Sequence, residues 1–475
     1  MPDSDEYVRY VRYANVYLIF LLAVGITGGL SFLRYLMAGP FAGTRIYDHL
    51  TLARHIADTG VPTVEPLRSV TRPYLLDAYD LIIALFPDLT VGVMILTIIV
   101  AILLPPLFYV LLTRLGASRD IRALGSLFLM ISPAYLALVL SPHGEALGVL
   151  ILVVAALLQT YNPWFAAPVY LIVPLFGPMH TILAVFTVIL IWQFLSHARL
   201  GGIVNLVIII IPSLLFFGLF FYRFGFMPLP SFDIGSFFSD MGSASGFGMF
   251  AIILALIGFY VGWAEKRRMW SVFLMGFVFL IVSGLTQPLL IAFALPFSLA
   301  AAIGTRRLMV RAWHIPDLKG MTMLLMACGL LFSSVSFIDE HMGDMPDNEV
   351  WESLSWISGR GDTGHILTHS SYAPWVRYMA GRTPVLDPFV QEVKPNRHQK
   401  IEALFQSRNI HNVQNISRTY GIRTLYITPE MKDGLVWNRD DQGLLFLLRN
   451  NETFSKVYGK DNIEIWRIQY ADDGS

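Results

Sequence analysis

Three groups of residues in this 475-residue chain have types and spacings that suit chemistry. The first centres on Asp48, in Arg45-Ile-Tyr-Asp-His-Leu-Thr-Leu-Ala-Arg54, where Leu50, Ala53, Ile56 and Ala57 recur at helical spacing and Gly60 reads as a C-cap. A carboxylate there can bind a metal or act as a base, or simply cap the helix, as Asp often does. The second is the turn Ser141-Pro-His-Gly-Glu145, where His143 and Glu145 stand two apart and can point into one cavity. Imidazole with carboxylate suits a divalent transition ion such as Mn²⁺; the alternative is a solvated interhelical turn. The third group could meet substrate. Asp233 and Asp240 lie in the Gly/Ser-rich segment 223–246, either a closing loop or a passive linker, and Arg377 and Arg382 could meet an anionic headgroup or merely be solvated.

The elements that must position these residues are set by apolar blocks. From Tyr13 to Ile338 the chain is a series of such blocks, many of about 17–25 residues, the length a helix needs to cross a bilayer. Basic clusters fall in alternate gaps: Arg114/Arg119/Arg122, His197/Arg199, Lys266/Arg267/Arg268 and Arg306/Arg307/Arg311/Lys319. Lys and Arg collect on the cytoplasmic side, so Asp48, His143 and Glu145 are expected on the opposite, external face. The spans expected are Tyr13–Met37, Val91–Thr113, Ala123–Leu140, Ala146–Gln159, Phe165–Phe176, Thr181–Leu195, Ile203–Tyr222, Phe247–Trp263, Met269–Ser283, Leu289–Gly304 and Met321–Ile338. That is about eleven, with the N-terminus cytoplasmic and residues 38–90 forming one large external loop. Within that loop Tyr74–Phe86 carries Asp77 and Asp80 and is too short to span, so it reads as an interfacial helix.

Residues 1–338 thus read as a transmembrane domain and 339–475 as a small external α/β domain. In the latter, helices are expected at Val350–Ile357, Tyr372–Ala380, Arg397–Gln406 and Gly443–Leu448, and strands at His365–Thr368, Thr424–Thr428, Phe454–Val457 and Ile463–Ile468. A content of 55% hydrophobic and 14% charged residues marks a polytopic helical membrane protein, and a net charge of zero argues against a nucleic-acid partner. The one cysteine, Cys328, falls in an expected span, so no disulfide braces the soluble domain.

In layout and in three stretches the chain resembles the C-type glycosyltransferase superfamily, and within it the oligosaccharyltransferase catalytic subunit of archaea and bacteria. The stretches are Tyr47-Asp-His-Leu50 with Ala53-Arg54, His143-Gly-Glu145, and Ile366 to Asp387, which contains Tyr378-Met-Ala-Gly-Arg-Thr-Pro384. The resemblance implies that Asp48, His143 and Glu145 hold a divalent metal, Mn²⁺ or Mg²⁺, with Asp48 and Glu145 catalytic. It implies a polyprenyl (pyro)phosphate sugar donor, met by Arg377 and Arg382, and a protein or glycan acceptor. Here Thr368-His-Ser-Ser-Tyr372 stands where the family has the Trp-Trp-Asp-Tyr-Gly that grips the Asn-x-Ser/Thr hydroxyl. Acceptor contacts then fall to His369, Ser370, Ser371 and Tyr372, with Asp233 or Asp240 replacing an acceptor-binding Glu, and strict sequon dependence is not expected. The setting implied is the plasma membrane. The rival readings are a glycosyltransferase using polyprenyl-phosphate monosaccharides, a non-catalytic scaffold subunit, and a flippase; charge-free spans disfavour the last.

Overall fold

A computed structural model describes residues 4–36, 41–194, 199–225, 235–239, 246–264, 266–285, 289–342, 346–360, 364–439, 441–460 and 462–470. The chain separates into two compact units, one of Met1–Ala42 with Leu75–Met345, the other of Gly43–Tyr74 with Pro346–Ser475. The long loop expected over 38–90 is therefore divided, and its first part belongs with the tail.

In the first unit, six helices among the described residues are long and apolar enough to cross a bilayer. They are Val16–Leu33, Leu89–Arg114, Gly144–Tyr161, Gly201–Phe224, Leu290–Val310 and Pro316–Met342. A seventh results if Arg119–Ile131 and Pro133–Leu140, which bend by 49° at their junction, form one span. The bend has a local cause. Pro133 restricts Ser132 to extended backbone (φ −70, ψ 137), and the Ser132 hydroxyl then accepts the Tyr135 N–H at 3.3 Å to cap a new helix. Four of the expected spans form shorter apolar helices, Pro163–Phe176, Pro178–Gln193, Met249–Trp263 and Phe273–Leu285. Large apolar side chains on the spanning helices, among them Leu214, Leu219 and Phe332, stand exposed, a surface suited to lipid rather than water. The chain is a multi-pass membrane protein.

Helices Met249–Trp263 and Leu290–Val310 meet through glycine. A Cβ on Gly258 would lie 1.8 Å from the Ala300 carbonyl oxygen, and one on Gly304 would lie 2.0 Å from that of Leu254. Small residues allow such close backbone approach in membranes, where van der Waals contact supplies much of the attraction between helices. The stretch read as interfacial forms a short helix, Ala78–Ala84, started by Asp77, whose Oδ1 accepts the Tyr79 N–H at 2.8 Å.

In the second unit, strands β1 (His365–Leu367), β2 (Ile422–Ile427), β3 (Phe454–Lys460) and β4 (Ile463–Ile468) form one sheet in the order β1-β2-β4-β3. β1 and β2 are parallel, and the helical connection between them includes Pro395–Gln406 and Ile410–Thr419, the latter missed in the sequence. The β2–β4 and β3–β4 pairs are antiparallel. The segment 43–74 joins this unit through helix Arg45–Thr59, whose Tyr47 lies among Trp351, Trp375 and Tyr378 at ring distances of 6.4, 6.4 and 5.6 Å. Arg54 donates to the Tyr378 carbonyl at 2.9 Å and Ser69 to that of Val385 at 3.1 Å.

Candidate functional site

Asp48 lies in the first turn of its helix, with Thr44 rather than Asp48 at the N-cap. Its Oδ1 accepts from Arg377 Nε at 3.1 Å and also from Arg377 Nη2, while Oδ2 accepts from Arg68 Nη2 at 3.3 Å. Both arginines reach a second acid as well. Asp387 Oδ2 lies 3.3 Å from Arg377 Nη1 and 3.3 Å from Arg68 Nη1, and Asp387 Oδ1 caps helix Pro388–Val393 through the Val390 N–H at 3.0 Å. Arg68 Nε also donates to Glu65 at 2.8 Å. The side chains of Asp387, Arg377 and Arg68 are 0%, 2% and 6% exposed, while that of Asp48 is 27% exposed, so Asp48 is the open edge of a buried network. Burial raises the Asp48 pKa, but Arg377 and then Arg68 overcome that effect and hold the carboxyl at about 2. It is ionised at neutral pH, with guanidinium on both oxygens.

The local backbone explains how Arg377 reaches so far inward. It sits in a π-helical turn, Val376–Ala380, closed by Gly381 at φ 62. Such turns carry one residue more than an α turn and often mark functional sites. Arg377, expected to meet donor phosphate directly, is instead committed to two carboxylates. Arg382 is half-buried and donates to the Arg360 carbonyl.

The pair His143 and Glu145 belongs to the first unit, and Asp48 to the second. His143 is the N-cap residue of helix Gly144–Tyr161, and Glu145 lies in its first turn. The Tyr79 ring packs on Gly144, where a Cβ would come within 2.9 Å of it. His180 Nε2 lies 3.0 Å from the Glu145 carbonyl oxygen, over Gly148, where a Cβ would be 2.5 Å from that nitrogen. Asp77 and Asp80 each place a carboxylate oxygen within 4.8 Å of the other's. The Tyr79 hydroxyl is pushed up by burial first, then by the negative charges of Asp80, Glu145 and Asp77. Asp77 and Asp80, with the Glu145 carboxylate acting on the same tyrosine, are oxygen donors of the kind a hard divalent cation takes. Sequence reasoning missed Asp77 and Asp80 as site residues. Their spacing within a short amphipathic stretch was the available signal.

Asp233 and Asp240 lie outside the described residues. In the degenerate motif, His369 Nδ1 lies 2.8 Å from the Ser371 hydroxyl, closing that pair on itself. The His369 pKa is lowered, by burial first and by His398, with Glu402 opposing. Tyr372 is buried; its hydroxyl donates to Glu430 at 2.9 Å and accepts from Thr428 at 3.0 Å. Ser370 opens the short helical turn that carries Tyr372.

No protein-family model and no curated protein sequence matches the chain. Solved structures do. The oligosaccharyltransferase of Archaeoglobus fulgidus, tethered to an acceptor peptide with an NVT sequon, aligns at a TM-score of 0.63 and 11% identity, over 96% of this chain and 74% of that one. The same enzyme in complex with Zn and sulfate aligns at 0.60 and 12% identity, over 87% and 68% of the two chains. ArnT from Cupriavidus metallidurans, bound to undecaprenyl phosphate, aligns at 0.51 and 11% identity over 95% and 98%. The mycobacterial arabinofuranosyltransferase AftD aligns at 0.58 and 15% identity, over 95% of this chain and 40% of its own length. At these identities the likeness is one of fold: this chain has the C-type glycosyltransferase fold that its motifs resemble.

Proposed function

We propose that this protein is a membrane glycosyltransferase that moves a sugar or oligosaccharide from a polyprenyl (pyro)phosphate to an acceptor on the outer face of the plasma membrane. The observation that carries this reading is the set of acids Asp77, Asp80 and Glu145 acting on Tyr79, in a fold shared with enzymes solved with lipid phosphate, acceptor peptide or Zn. Fold alone would be analogy; the acids and imidazole supply the chemistry. The topology proposed with it has about eleven spans, the N-terminus cytoplasmic and the tail unit outside.

In the transfer, an acceptor O–H or N–H attacks the anomeric carbon, the bond from that carbon to the phosphate oxygen breaks, and the lipid leaves as its (pyro)phosphate. The acceptor proton passes to a carboxylate, for which Asp48 and Glu145 are the candidates. His143, Glu145, Asp77 and Asp80 would hold a divalent cation, which would supply charge neutralisation for the departing phosphate. Arg68 and Arg377 keep Asp48 ionised and fixed in orientation, which suits it to hold an acceptor N–H; their charge makes it the weaker base of the two candidates. Arg382 adds positive charge for the donor phosphate.

The acceptor is proposed to be something other than the usual sequon. The residues at the motif are His369, Ser370 and Ser371, small and neutral, and the Tyr372 hydroxyl is occupied by Glu430 and Thr428. The purified protein is to be incubated with polyprenyl-linked glycans, with Mn²⁺ or chelator, and with matched Asn-x-Thr and Asn-x-Ala peptides and glycan acceptors. Transfer lost with chelator and in Glu145→Gln, with less than about tenfold preference for the Thr peptide, is the expected result. Absence of transfer to every acceptor overturns the enzyme reading. Strict dependence on the Thr hydroxyl restores a sequon-specific oligosaccharyltransferase.

A further inference from the structure

The second unit contains a cleft that none of this chemistry uses. It has a volume of about 540 Å³, within the range of small-ligand sites. One wall is β4, with Glu464 and Trp466 on the same face; the floor includes Leu445 and Leu448; the rim carries Asp433, Arg449, Asn451 and Asn462. The wall is built rather than incidental. The Trp466 indole N–H donates to Glu464 Oε2 at 2.8 Å, and Glu464 Oε1 receives Lys432 at 3.0 Å and Lys456 at 2.9 Å. Three donors converging on one carboxylate fix the indole and consume the Glu464 charge.

The lining defines the ligand. The lining itself has two basic and two acidic residues, and Lys432 and Lys456 are both held by Glu464, which leaves Arg449 facing Asp433's opposite charge rather than a cluster of cations for a phosphate or sulfate. Two primary amides, a carboxylate and a guanidinium offer donors and acceptors side by side, the complement of neighbouring hydroxyls. An indole with two leucines offers an apolar surface for a ring's C–H face. We infer that this cleft binds a neutral oligosaccharide, as a glycan-holding site apart from the transfer chemistry. The choice of a saccharide over other neutral polyols rests on the transferase reading; the binding itself does not require turnover.

The test uses the full-length protein in detergent micelles without lipid donor. Maltotriose, mannotriose and tri-N-acetylchitotriose are the probes, read by saturation-transfer NMR and calorimetry. The expected result is binding of at least one probe with saturation strongest on ring C–H protons. Trp466→Ala and Asp433→Ala are each expected to weaken it at least tenfold. Asp433 and Asn451 are exposed, so Asp433→Ala and Asn451→Ala keep the test intact should Trp466→Ala fail to fold. No binding by any of the three probes overturns the proposal, as does binding that all of these variants leave unchanged. Transfer is assayed separately on the same preparation: binding without transfer would sink only the transferase reading, and transfer without binding only this one.

Discussion

Replacing Asp387 with Asn is the sharpest probe of the network around Asp48. Asp387 is fully buried and faces Arg68 and Arg377 at 3.3 Å each. Asn is nearly isosteric and still caps the Val390 N–H, since Asn and Asp are comparable N-caps. What disappears is one negative charge in a network where Arg68, Arg72 and Arg377 balance Asp48, Asp387 and Glu65. Removing one partner from a buried ion pair costs about 3–5 kcal/mol, because the remaining charge stays desolvated. For a unit of this size about 1 kcal/mol corresponds to roughly 2–4 °C, so the unfolding midpoint is expected to fall by on the order of 10 °C. Asp387→Ala loses the cap too and is expected to cost about 1 kcal/mol more. The control is Arg377→Met with Asp387→Leu, which keeps the network neutral and should recover most of the loss. Midpoints are measured by intrinsic fluorescence in micelles, alongside limited proteolysis of the tail. A shift under about 2 °C in Asp387→Asn, or a double variant no better than the single one, refutes the charge argument.

Three further outcomes follow from the same geometry. The Asp48 carboxyl is depressed from an ordinary 3.8 to about 2, so its contribution is complete above the ordinary value and is lost as pH falls through about 2. That shift corresponds to about 2 kcal/mol, and Asp48→Asn should flatten the acid limb of stability between those values; an unchanged limb counts against the ion pairs. Gly304→Ala places a methyl 2.0 Å from the Leu254 carbonyl oxygen and should cost about 1–3 kcal/mol by forcing two helices apart, read as a lowered thermal midpoint; no change would mean the helices do not meet there. Tyr372→Phe removes a hydroxyl shared by Glu430 and Thr428 and should destabilise by about 1–3 kcal/mol. Unaltered stability in that variant would free the hydroxyl for an acceptor role.

What the sequence determined by itself was whatever depends on near neighbours. Long apolar runs marked helices, of which six, or seven with the bent pair, are long enough to span among the described residues, and Gly60 stands where a C-cap was expected, its N–H on the Ile56 carbonyl. Period-two runs marked the strands, and β4 has the bounds expected from Ile463 to Ile468. The Ile366–Asp387 stretch was legible as a motif because its residues are contiguous. The tertiary structure alone decided which segments share a unit and which charges meet. Arg377 and Asp48 are 329 residues apart, and neither local pattern nor spacing marks them as partners. The placement of 43–74 with the tail follows from aromatic packing around Tyr47 and from the buried arginines, long-range contacts that carry no periodic signature. Asp77 and Asp80 were visible only as acids that prevent a short stretch from spanning; their nearness to Glu145 needed Tyr79 packed on Gly144. A charge's partner is fixed by where folding puts it, because an ion pair depends on distance and burial rather than on position along the chain.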